Sequence, residues 1–177
     1  FSLGISNWYK KNGRENLPWR EDITPYRIWI SEVMLQQTQV KTVIPFFNSF
    51  IRNYPDLNKL SSASEENVLA LWTGLGFYRR AKNIFKAKEV IKANFDNQFP
   101  TKFDEIISLP GIGDSTAGAI MSIAYKEPYP ILDANVKRVI SRYEGIANDS
   151  SISSIKELWT LSKKHTPLKN IFEYTQG

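Results

Sequence analysis

The stretch Ser108-Leu109-Pro110-Gly111-Ile112-Gly113-Asp114-Ser115-Thr116-Ala117-Gly118-Ala119 decides how the rest of this chain is read. A helix ends, a tight turn follows, and a second helix begins at Asp114. Gly111 and Gly113 admit backbone angles that other residues avoid and let a neighbouring backbone come close. Ile112, apolar in the middle of the turn, pins the hairpin to a core. The first N–H groups of the second helix have no partner inside it, and such an end favours a phosphate.

A lone Gly-x-Gly is an ordinary corner between two helices. The whole string, Leu-Pro-Gly-x-Gly with a small-residue helix after it, is the pattern of a helix–hairpin–helix, which holds a DNA backbone without reading its sequence. Outward from this string the apolar residues repeat at three and four, never at two over a useful length. Ile28, Trp29, Glu32, Leu35 and Gln39 share one face. Val43, Phe46, Phe47 and Phe50 form a second stripe, and Val68, Leu71 and Trp72 a third that stops at Gly74. The spacing predicts further helices over 78–95, 103–109, 114–125, 133–143 and 153–164. Loops fall at Pro55-Asp56, Gly74-Leu75-Gly76 and Asn148-Asp149-Ser150, and 128–132 is an extended junction leading into a helix at Asp133. The fold class is all-α.

The 177 residues fit one domain or two small lobes sharing a core. Hydrophobic residues at 42% and charged residues at 23% are the balance of a globular chain. No apolar run approaches the roughly 18 residues of a membrane span, and the opening residues do not read as a leader. There is no cysteine, which excludes disulfides, thiol catalysis and thiolate metal sites within these residues. A single histidine, His165, excludes a His-cluster metal site. The net charge of +5 and pI near 9.3 suggest a polyanion partner. Much of that charge lies on the helix 78–95, where Arg79, Arg80, Lys82, Lys86, Lys88 and Lys92 oppose one acid, Glu89, and are expected to face phosphates.

Two carboxylates stand out. Around Glu32 the neighbours at three and four residues are Ile28, Trp29, Leu35 and Gln36, so the carboxylate lies on or beside an inward face. A buried carboxylate without a cation keeps its proton, as a general acid must; a core-edge Glu paired with a distant Arg fits this segment equally well. Asp133 sits where an extended segment turns into a helix, the place of an N-cap. A capping carboxylate is held ionised by the helix end and can face a developing cation. One protonated and one charged carboxyl suit glycosidic-bond cleavage through an oxocarbenium-like state. Gln36, Gln37 and Thr38 follow the Glu32 helix, and Gly74-Leu75-Gly76-Phe77-Tyr78 puts two aromatics on a flexed loop, either packed there or presented to bases.

Together the motifs Leu17-Pro18-Trp19-Arg20, Ile30-Ser31-Glu32-Val33-Met34-Leu35-Gln36-Gln37-Thr38-Gln39-Val40, Leu71-Trp72-Thr73-Gly74-Leu75-Gly76, Leu109-Pro110-Gly111-Ile112-Gly113 and Ile131-Leu132-Asp133-Ala134-Asn135-Val136-Lys137-Arg138 resemble the adenine DNA glycosylases of the MutY kind, a branch of the helix–hairpin–helix glycosylase superfamily. The likeness runs from Phe1 to Gly177 in order. It implies a two-lobed all-helical fold with the active site in the cleft: a six-helix lobe over 19–132, and a second lobe of 1–18 and 133–177, truncated relative to the family. It implies base-excision removal of adenine mispaired with 8-oxoguanine or G.

In that resemblance Glu32 would protonate adenine at N7 and later activate water, Asp133 would stabilise or transiently bond the sugar C1′, and Asn135 would support the pair. Trp19, Arg20 and Gln176 would line the pocket for the flipped base, Gln37 would fill the gap it leaves, and Phe77 would wedge beside the lesion. The family usually has Tyr where Phe77 stands. Gly111, Ile112 and Gly113 would hold the DNA backbone, and Ser115 occupies the place where bifunctional relatives carry a Schiff-base lysine. The partner would be double-stranded DNA with a mispair, bound by a monomer in the bacterial cytoplasm, away from any membrane. The family's 4Fe-4S cluster would need cysteines beyond Gly177, so no cofactor is expected within these residues, and apolar surface is expected near Phe172 and Tyr174. The alternatives are a bifunctional thymine-glycol glycosylase and lyase, which Ser115 disfavours, and a non-catalytic DNA-binding module, which has no need of Glu32 and Asp133.

Overall fold

The computed structural model describes residues 1–14, 16–146 and 151–177. In chain order the helices are α1 (Ser2–Asn12), α2 (Pro18–Glu21), α3 (Pro25–Leu35), α4 (Val40–Asn53), α5 (Leu57–Ser61), α6 (Glu65–Trp72), α7 (Arg79–Asn94), α8 (Phe103–Ile107), α9 (Asp114–Ile120), α10 (Ala134–Glu144), α11 (Ile152–His165) and α12 (Ile171–Gln176). Helix α9 continues as a wider π-type turn, Met121–Tyr125. No strand occurs among the described residues, so the all-α class read from the spacing holds. The chain divides into two compact units, Arg14–Gly113 and Phe1–Gly13 with Asp114–Gly177. The junction read at 128–132 therefore lies inside the second of these.

In the unit Arg14–Gly113 the helix starts are set by local side chains. Thr24 accepts from the Arg27 N–H, Asp56 from Lys59 and Ser64 from Asn67. Such caps are worth about 1 kcal/mol each. Trp29, Phe47, Phe50, Trp72, Ile84 and Ile91 are fully buried, and each side chain of this size contributes about 1.5–3 kcal/mol on burial. Trp19 meets the Phe47 ring edge-on at 5.4 Å. The Tyr26 hydroxyl donates to the Tyr54 carbonyl at 2.6 Å and ties α3 to the end of α4. Helix α3 stops at Leu35, so Gln39 is not on its face; it caps α4 instead, across a turn in which Gln37 has a φ of 56°.

The basic helix differs from expectation in two residues. Arg80 and Lys88 are buried, at 8% and 3% exposure, and do not face solvent. The Lys88 ammonium donates to the carbonyls of Ala63 at 2.8 Å and Ser61 at 3.3 Å and pairs with Glu89. Its hydrogen bond holds the Glu89 carboxyl below the usual carboxylate range. The physical reason is spacing: positions 80, 84, 88 and 91 share the stripe on which Ile84 and Ile91 are buried. Arg79, Lys82, Lys86 and Lys92 remain exposed.

In the other unit, Leu132, Ile140 and Leu158 form a core flanked by Phe1, Val136 and Trp159. Helix α1 packs on α12, with Tyr9 against Phe172 at 5.9 Å and Phe1 against Tyr174 at 6.4 Å. Phe172 and Tyr174 are thus half-buried, and the expected exposed apolar surface there is reduced by the rings of α1. Helix α10 starts at its N-cap, Asp133. The loop read at Asn148-Asp149-Ser150 lies outside the described residues.

Candidate active site and exposed loops

Glu32 lies on α3 of the unit Arg14–Gly113, half-buried between the buried residues Ser31 and Val33. Ile28 and Trp29, one turn earlier, are almost wholly buried, so the inward-edge placement read from their spacing is the one observed. Helix α3 holds this carboxylate on a rigid element, since its own first turn is capped and its flank is core. In the same unit Trp19 is buried, while Arg20 is half-buried and donates to the Arg14 carbonyl.

Two loops of this unit present side chains outward. Gln37 is exposed in the turn after α3, and Phe77 is 58% exposed in the loop before α7. Both have a positive φ, 56° and 51°, a conformation that costs a non-glycine residue about 1–3 kcal/mol. Tyr78 beside Phe77 is exposed too, whereas Leu75 is buried and roots the loop. The two aromatics are presented rather than packed away.

The hairpin lies at the end of the same unit. Leu109 and Ile112 are buried, and the Ile112 N–H donates to the Leu109 carbonyl at 3.1 Å. Gly111 has a φ of 84°, and a Cβ there would come within 2.6 Å of the Asn83 side chain on α7. Gly111 and Gly113 are exposed, with the apolar Ile112 turned inward between them.

In the unit Phe1–Gly13 with Asp114–Gly177, Asp133 is exposed and its side chain accepts the Val136 N–H at 2.8 Å. Asn135, in the first turn of α10, is exposed, and Gln176, near the end of α12, is half-buried. The segment ahead of Asp133 is pinned by three serines. Ser122 Oγ donates to the Tyr129 carbonyl at 2.8 Å, Ser162 Oγ donates to the Ile131 carbonyl at 2.6 Å, and Ser115 Oγ accepts the Leu132 N–H at 3.0 Å. A hydroxyl both accepts and donates, which a lysine ammonium does not. Ser115 therefore has a task of its own, holding the backbone next to Asp133. The identity of the residue alone did not reveal it.

Sequence reasoning also missed what Arg80 does. Its guanidinium donates to backbone carbonyls of the turn after α3 and to Gly76 O ahead of Phe77. Burial lowers its pKa from the usual arginine value.

The chain has no cysteine, and no group of His, Asp and Glu among the described residues is placed to hold a metal ion. With no cysteine, these residues do not fit a 4Fe-4S cluster. No described helix is long and apolar enough to cross a membrane.

Buried Leu109 and Ile112 between outward glycines, in a chain that is helical throughout its described residues, define a helix–hairpin–helix fold. The chain belongs to the HhH-GPD superfamily of base excision DNA repair proteins, whose family model matches residues 30–164. It is 49% identical over 178 residues to the adenine DNA glycosylase of Buchnera aphidicola from Schizaphis graminum, covering 100% of this chain and 51% of that one. It is 37% identical over 174 residues to the human adenine DNA glycosylase, covering 93% of this chain and 32% of that one. The chain thus spans about half the length or less of these curated relatives. Among solved structures, a thermostable thymine-DNA glycosylase matches with a TM-score of 0.87 at 25% identity, over 99% of this chain and 82% of that one. A trapped endonuclease III–DNA covalent intermediate matches with a TM-score of 0.74 at 19% identity, over 93% and 80%, a likeness of fold.

Proposed function

We propose that this chain is the catalytic part of an adenine DNA glycosylase that removes adenine mispaired with 8-oxoguanine or G. The observation that supports this is the 49% identity to an adenine DNA glycosylase along the whole of this chain, which spans 51% of that relative. Glu32 protonates adenine at N7; the bond from C1′ to N9 breaks, adenine leaves with the bonding pair, and the sugar becomes oxocarbenium-like. Asp133 stabilises or transiently bonds C1′, with Asn135 in support. Glu32, now a carboxylate, takes a proton from the water that attacks C1′. Trp19, Arg20 and Gln176 are proposed to contact the flipped adenine, and Gln37 and Phe77 to enter the duplex. Gly111, Ile112 and Gly113 hold the backbone. The functional lobes are 19–132 and 1–18 with 133–177. The protein acts as a monomer in the cytoplasm, and any 4Fe-4S cluster rests on cysteines beyond Gly177.

Phe77 tests the loop assignment. A wedge acts through its ring, which Phe and Tyr share. Phe77→Ala weakens binding to an A opposite 8-oxoguanine duplex by about tenfold or more, the value of a lost base–aromatic stack, while Phe77→Tyr stays near wild type. Equal binding by wild type and Phe77→Ala makes this aromatic a surface residue only.

Ser115 tests the reaction type. A hydroxyl forms no imine with the abasic sugar, so borohydride traps no covalent adduct on the reaction product. An efficient adduct through a residue of the hairpin region returns the bifunctional lyase to first place.

A further inference from the structure

Arg80 is one side chain holding two loops. Its Nη1 donates to the carbonyls of Met34 at 2.8 Å, Val33 at 3.1 Å and Gln36 at 2.5 Å, all at the end of α3. Its Nη2 donates to Thr38 Oγ1 at 3.2 Å and to the Gly76 carbonyl at 3.3 Å. The residues between and after these anchors are Gln37 and Phe77, both exposed and both in left-handed backbone. The Phe77 ring lies against the guanidinium, 5.1 Å from Cζ to centroid, and Trp72 lies 5.5 Å from it as well. The Trp72 indole N–H in turn donates to the Gly76 carbonyl at 3.0 Å, so Gly76 is held from two sides.

The strained φ at Gln37 and Phe77 needs neighbours that over-determine it. The carbonyls that flank each strained residue, Gln36 ahead of one and Gly76 ahead of the other, are both acceptors of this single guanidinium. A planar fork of donors fixes their relative position, which an ammonium at one point does not. Cation–ring contact adds a third constraint, on the Phe77 side chain itself.

We infer that Arg80 is a positioning residue that sets the Gln37 turn and the Phe77 loop in one shared geometry, so that both side chains enter a lesion-bearing duplex together. This rests on the assignment of Gln37 and Phe77 to the duplex in the proposed function. Arg80 touches no DNA in this scheme. It acts through the two loops and costs the complex no ordering at the moment of binding.

The test is a double-mutant cycle in the full-length chain, with Arg80→Lys and Phe77→Ala singly and together. The readouts are affinity for an A opposite 8-oxoguanine duplex, affinity for a matched duplex, and fluorescence of 2-aminopurine placed opposite 8-oxoguanine, which reports unstacking. Arg80→Lys is expected to weaken lesion binding by about tenfold, as lost charged hydrogen bonds do, and to reduce the fluorescence rise. It adds little further loss when Phe77 is already Ala, because both changes remove the same device. A residue that serves folding alone lowers the melting temperature, weakens both duplexes alike and gives additive losses; that pattern overturns the inference. If Arg80→Lys does not fold, Thr38→Val removes one acceptor and enters the same cycle, with a few-fold coupled loss expected and additivity again overturning the inference. If Phe77→Ala and Gln37→Ala themselves leave lesion binding unchanged, the loop assignment falls and Arg80 falls with it. If they weaken it and the cycle is additive, Arg80 alone falls.

Discussion

Glu32→Gln in the full-length chain abolishes adenine excision while binding to mispaired DNA stays within a few-fold of wild type. Glutamine keeps the shape and the place on α3 but has no proton to give to the purine. Positioned acid–base catalysis is worth about 10²–10⁴ in rate, and here one carboxyl serves both the leaving base and the incoming water. The loss belongs in the single-turnover rate and not in the dissociation constant, because Glu32 acts on a group that develops charge only as the bond breaks. A Glu32→Gln protein that excises adenine within a few-fold of wild type assigns the acid to another residue.

Gly118→Ala unfolds or severely weakens the unit that carries Asp133. Gly118 is buried in the middle of α9, and a Cβ there falls on the carbonyl oxygen of Pro130, far inside van der Waals contact, with the Ile131 side chain at 3.1 Å. The obstacle is backbone, so no rotamer change relieves it. Alanine in an ordinary helix interior stabilises by about 0.5–1 kcal/mol over glycine, so the expected sign is opposite to the usual one. Overpacking of this kind costs about 1–3 kcal/mol or more, a large share of a total near 5–15 kcal/mol. Denaturant melts of the two proteins measure it directly. A variant as stable as wild type, or more so, means that α9 and the 128–132 segment are not in close contact.

Gly118 also bears on what the sequence made legible. Helices α3, α4 and α6 to α11 followed from spacing, because an amphipathic helix must put its apolar residues at three and four, whereas α1, α2, α5 and α12 did not. The hairpin followed from glycines and a proline, whose constraints are local. Glu32 could be placed on an inward edge for the same reason. What escaped was long-range. Arg80 and Lys88 read as a solvated basic face when charge was counted, although 80, 84, 88 and 91 is the buried stripe of α7. Their spacing outranked their charge, because carbonyls at Val33, Met34 and Ala63 lay within reach to satisfy them. The acceptors are 25–47 residues away in the chain, and no local rule finds them. Ser115 is the converse. Its absence of an amine was visible in the sequence, but its bond to Leu132 depends on how 128–132 folds back on α9. Gln39 was misplaced because the turn with positive φ at Gln37 has no glycine to announce it.

Which base leaves, and opposite which partner, distinguishes an adenine glycosylase from a bifunctional lyase. Single-turnover incubation of the full-length chain with duplexes carrying A opposite 8-oxoguanine, A opposite G, and thymine glycol, each quenched in alkali, reads this in one experiment. Strand breaks at the adenine position in the first two duplexes, arising only after alkali, are expected, with thymine glycol left intact. Release of thymine glycol, or strand scission before alkali, contradicts it.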